Sequence, residues 1–78
     1  MTYIDERHKI IEAVTKNPLQ IMTLEWKWRG DRTIVQICAL RDARLFRYAD
    51  SRLRSNREFV EELAKLQPKI RDFALPTS

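Results

Sequence analysis

Few residues of this chain could carry chemistry: one histidine, His8, one cysteine, Cys38, and adjacent carboxylates such as Glu61 and Glu62. A Cys-His dyad needs a thiolate in a partly exposed, electropositive niche. Cys38 instead shares an apolar row with Ala13 and Leu63 and reads as a small buried residue. Structural zinc needs about four thiolate or imidazole ligands, more than a single cysteine and a single histidine supply. Glu61 and Glu62 are neighbours, so on a helix they diverge and do not form a shared acid–base site. The expectation is a non-enzyme with no catalytic, metal or cofactor site.

Arginine is the residue type that clusters. Arg41, Arg44, Arg47, Arg52, Arg54 and Arg57 stand against only Asp42 and Asp50, which concentrates the whole net charge of +4 in this stretch. Arg44 and Arg47 lie one turn apart on a helix whose other side carries Leu45, Tyr48 and Ala49, so they are expected to project together into solvent. Guanidinium groups suit bidentate contacts to carboxylates or phosphates. The expected partner is an acidic protein surface. Nucleic acid is the alternative, although the helix-turn-helix pattern, zinc ligands and aromatic platform of base readout are missing. The plainest account is a solvated helix face partly neutralised by Glu58, Glu61 and Glu62.

A second candidate lies in Glu25-Trp26-Lys27-Trp28-Arg29-Gly30. Trp28 falls opposite Leu53 and is expected in the core. Trp26 falls opposite Ser51, a surface position, and an exposed tryptophan beside Lys27 and Arg29 has the composition of an interaction hot spot. The competing account makes Trp26 a cap on an irregular first unit. Gly30 is expected to end a helix, with no phosphate-cradling role. The candidate partner-binding residues are thus Arg44, Arg47, Arg54, Trp26 and Arg41.

These residues must be positioned by a repeating scaffold. Asp31-Arg32 followed by Ile34, Val35 and Cys38 returns 25 residues later as Asn56-Arg57 followed by Phe59, Val60 and Leu63. Asp42-Ala43 falls opposite Gln67-Pro68, and Leu45, Tyr48 and Ala49 opposite Ile70, Phe73 and Ala74. A looser first copy carries Ile10, Ala13 and Val14, then Asn17-Pro18 and Thr23-Leu24. The apolar spacing follows helix periodicity, and capping residues or a first-turn proline stand at each expected start. The reading is an all-α array of about three degenerate two-helix repeats of roughly 25 residues, at 6–30, 31–55 and 56–78, in a single domain over 1–78. One helical pair cannot bury its apolar stripe, whereas stacked copies share a core.

The stretch Leu45-Phe46-Arg47-Tyr48-Ala49-Asp50-Ser51-Arg52-Leu53-Arg54-Ser55-Asn56-Arg57-Glu58-Phe59-Val60 resembles the tandem helical repeat of a family of unknown function, of the form L-x-Y-A-S-x-x-L-x-N-D-[KR]-E-x-V. Tyr48, Ala49, Leu53, Asn56, Glu58 and Val60 fall on the family's positions, whereas Thr23, Leu24 and Trp28 replace Tyr, Ala and Leu in the first copy. The resemblance implies an α-helical scaffold of the kind embedded in larger proteins, including bacterial effector-like ones, and brings no catalytic residues.

Cys38, being alone, forms no internal disulfide. Nothing near Met1 resembles an apolar signal segment, and no apolar run approaches a membrane span. A cytoplasmic protein is expected, in the producing cell or, for an effector-like or phage-like protein, in its host. The expected function is a small non-catalytic protein–protein interaction module, an inhibitor or adaptor of a larger complex. A sequence-nonspecific nucleic-acid binder and a structural homo-oligomer are the alternatives.

Overall fold

Two of the long helices start where a side chain closes the first turn. The Asp31 carboxylate accepts from the backbone N–H groups of Thr33 and Ile34, and the Asn56 side chain accepts from that of Phe59, so the free amides of two helix starts are satisfied locally. Asn17 and Asp42 do the same for Leu19 and Arg44, whereas Gln67 makes no such bond and relies on Pro68 at the first helical position.

The computed structural model describes residues 3–75; Met1, Pro76 and the end of the expected third unit lie outside the described residues. Five α-helices alternate with three 3-10 helices: α1 (Tyr3–Lys16), η1 (Pro18–Thr23), α2 (Trp26–Arg29), α3 (Arg32–Arg41), η2 (Ala43–Tyr48), α4 (Ser51–Arg54), α5 (Arg57–Leu66) and η3 (Pro68–Phe73). No strand occurs among the described residues, and the fold is all-α. The 3-10 helices open at Pro18, Ala43 and Pro68, each 25 residues after the one before, and the same spacing separates Trp26 from Ser51 and Arg32 from Arg57.

The second helix expected in each unit is divided. A 3-10 helix ends at Thr23, Tyr48 or Phe73, and the next residue is extended, with ψ of 152°, 152° and 153° at Leu24, Ala49 and Ala74. A separate single turn then follows in the first two units, α2 and α4. The break has a tertiary cause. It lets the Asp50 N–H donate to the Arg29 carbonyl at 2.9 Å and the Leu75 N–H to the Arg54 carbonyl at 3.0 Å, each tying one unit to the end of the unit before it.

The core runs unbroken from Val14 of α1 to Ile70 of η3, and among the described residues no polar or charged one is buried in it. Phe46 is its largest fully buried side chain and meets the Phe59 ring at 6.3 Å. Leu45, one residue earlier, turns instead toward Leu19 and Met22 of η1. Consecutive residues of η2 thus face the units on either side. The terminal units keep only the inward half of this pair: Ile21 and Ile70 are buried, while Gln20 and Arg71 are exposed. Both ends of the described array therefore present polar side chains where the middle unit has Leu45 and Phe46.

Candidate functional site

Trp26 and Trp28 take opposite fates because α2 is a single turn, and residues two apart on a helix point to different sides. Trp28 is 4% exposed and packs in the core; Trp26 is 65% exposed. The Asp50-to-Arg29 backbone bond holds the start of α4 beside the end of α2. Between them lies a recess of about 360 Å³ lined by Trp26, Lys27, Arg32, Arg52, Asp50 and Asn56, among others. Three cations and one carboxylate face it. Arg52 reaches Asp50 only at 3.8 Å and stays open to solvent, Arg32 lies 5.7 Å from the Phe59 ring, and Lys27 lies 5.2 Å from that of Trp28. The result is an exposed indole rimmed by positive charge.

Arg44 and Arg47 come together as expected, at a second recess of about 240 Å³ between η1 and η2, with Leu19, Met22, Leu45 and Tyr48. A 3-10 helix has three residues per turn, so side chains three apart eclipse one another. Both arginines are exposed. Arg44 grips Asp42 through its Nε at 3.1 Å and Nη2 at 2.9 Å, and this guanidinium hydrogen bond holds the Asp42 carboxyl below the usual carboxylate range. Arg47 has no side-chain partner among the described residues.

Arg54 and Arg41 are occupied within the fold. The Arg54 Nε donates to the Phe73 carbonyl at 3.0 Å, fastening α4 to η3. Arg41, at the end of α3, donates to the Thr15 carbonyl near the end of α1. Arg29 sits one period before Arg54, and its Nε is buried without a hydrogen-bond partner. The stretch from Arg41 to Arg57 is thus not one continuous stripe. Trp26 and Arg52 line one recess, Arg44 and Arg47 the other, and Arg41 and Arg54 line neither. Local neutralisation comes from Asp42, while Glu61 pairs with Arg71 at 2.9 Å and also feels the charge of Arg57.

Cys38 is fully buried, and burial pushes its thiol up to about 11 despite the opposing charge of Arg41. His8 is exposed on α1. No group of three or more His, Cys, Asp or Glu able to hold a metal ion occurs among the described residues, and no helix there is long and apolar enough to cross a membrane.

Sequence reasoning missed the neighbours that fold up around each candidate. Arg32 joins the Trp26 recess from the start of the following unit, and Leu19 and Met22 join Arg44 and Arg47 from the preceding one. The signal available was the 25-residue register itself: stacked units bring corresponding turns side by side, so Trp26 lies next to the turn holding Ser51 and Arg52.

The chain belongs to the family described as Domain of unknown function (DUF4116), which matches residues 6–76, nearly its whole length. No curated protein and no solved structure is significantly similar to it.

Proposed function

We propose that this chain is a small non-catalytic protein-binding module, an adaptor or inhibitor of a larger assembly, that grips an acidic surface of its partner. The observation that carries the reading is Trp26, 65% exposed on the rim of a recess whose other walls include Lys27, Arg32 and Arg52. Tryptophan and arginine dominate interface hot spots, because both place a large planar surface against a partner while keeping polar groups to satisfy. Arg44 and Arg47 extend the contact, and Arg41 and Arg54 hold the surface in shape. The molecule acts as a tandem array of three degenerate units, in the cytoplasm of its producer or, as an effector-like or phage-like protein, of a host.

Nucleic acid is the second reading, favoured by an exposed indole beside cations, since a base can stack on it. It is the weaker reading because the fold itself takes up half of the guanidinium groups between Arg41 and Arg57: Arg41, Arg44 and Arg54 hydrogen-bond within the described residues, which leaves Arg47, Arg52 and Arg57. A second copy stacked on either end of the array meets polar side chains, which weighs against a structural homo-oligomer.

Affinity capture from lysate with and without nuclease treatment, using the native chain and a Trp26→Ala/Arg52→Glu variant of matched helicity, tests the reading. A protein retained by the native chain and lost by the variant supports it. Recovery that vanishes with nuclease treatment transfers the function to nucleic acid.

A further inference from the structure

Leu19 and Met22 are 54% and 51% exposed, which no internal packing requires. They occupy on η1 the outward row that Arg44 and Arg47 hold on η2 and Lys69 and Asp72 hold on η3, at successive intervals of 25 residues. The three 3-10 helices pack in the order η1, η2, η3, so these rows lie side by side. Units two and three fill the row with charged side chains, as a solvent-facing row should be filled. The first unit fills it with apolar ones, and together with half-buried Tyr48 over buried Leu45 they form a joined apolar patch rather than scattered exposed residues.

We propose that this recess binds a short amphipathic helix of a protein partner, whose apolar side chains settle on Leu19, Met22 and Tyr48 while its carboxylates meet Arg44 and Arg47. The inference rests on the protein-binding reading above and adds the chemistry of what is bound. Charge complementarity selects the occupant: beside the apolar floor stand Arg44 and Arg47 against the single carboxylate of Asp42, which Arg44 holds at 2.9 Å, so Arg47 is left to meet an incoming carboxylate and the wall keeps a net positive charge. A helix suits the site because apolar residues at i, i+3 and i+4 form a ridge with acidic residues along its flank, matching an apolar row beside a basic one. Met22 adds an unbranched, adaptable side chain able to fit ridges of different shape.

Selection of random peptides displayed on phage against the full chain, followed by anisotropy titration of the enriched peptides, tests the inference. The expected peptides combine apolar residues at helical spacing with Asp or Glu. Met22→Glu and Arg47→Glu, both at exposed positions, should weaken them by at least about tenfold, while Leu66→Gln, outside the recess, should leave them within about twofold. Peptides that bind Met22→Glu undiminished but are lost on Trp26→Ala overturn the inference and leave the protein-binding reading standing. Failure to enrich any peptide also overturns it, and saturable binding of a labelled oligonucleotide in that case removes the protein-binding reading as well.

Discussion

At the scale of single residues, the buried and the exposed side chains make separate claims. Cys38 is enclosed with its thiol raised to about 11, so almost no thiolate exists near neutral pH. A thiol reagent at pH 8 should leave the folded chain unmodified and label it fully in urea; rapid labelling of the native chain would contradict the packing. Asp31 is the acid-sensitive joint. Burial raises its carboxyl, but the hydrogen bond and charge of Arg7, with the amides of Ile34 and Thr33, outweigh that and hold it below the usual range. A carboxyl lower in the folded chain than in the unfolded one stabilises above the unfolded value, about 3.9, and loses that contribution as pH falls through the folded value. Asp31→Asn, which keeps a capping oxygen, should therefore flatten the melting temperature below about pH 4 and cost roughly 1 kcal/mol at neutral pH. Equal acid sensitivity in the variant would remove Asp31 from this role. The exposure of Trp26 was legible at this scale, from its register opposite Ser51; Arg32 as its neighbour was not, because that contact joins two units.

At the scale of elements, the caps and the extended breaks shape the binding surface. Asp50 caps α4 through its carboxylate, which accepts from the Arg52 N–H at 2.8 Å, while its own N–H donates to Arg29. Asp50→Ala should cost about 1 kcal/mol through the lost cap, a fall of roughly 4–8 °C in melting temperature for a domain of this size. The same change removes the carboxylate facing Arg52, so binding of an acidic partner should not weaken; calorimetry and titration of one variant separate the two effects. The helix starts were readable from Asp31, Asp42 and Asn56, since capping is local chemistry. The division of each expected second helix was not. Apolar spacing over six residues does not separate a 3-10 helix from an α-helix, and the break at Ala49 follows from a backbone bond to a residue 21 positions away from its acceptor, between Asp50 and Arg29.

At the scale of the whole molecule, the array is elongated, 39 × 23 × 19 Å, and its polar end rows limit how it can associate. The Arg71–Glu61 pair occupies on the third unit the positions that Ile21 and Ile11 hold on the first. Glu61→Ile with Arg71→Ile should give an apolar end and produce concentration-dependent association in sedimentation, whereas the native chain should keep one mass across the same concentrations; a doubled variant that stays unchanged in mass would contradict the capping role. The all-α class and the shared core were legible because the 25-residue repetition carries them. The sorting of arginines into two recesses was not, because it depends on which guanidinium groups the fold itself consumes. Whether a protein is held at Trp26 is read from titration calorimetry of the captured partner at about 50 and 200 mM salt, with the native chain and Trp26→Ala. Trp26→Ala should weaken binding by roughly 30-fold, about 2 kcal/mol, while salt changes the affinity by less than about tenfold. Unchanged affinity in Trp26→Ala, together with a loss of about a thousandfold across that salt range, would contradict it and mark a phosphate-binding surface.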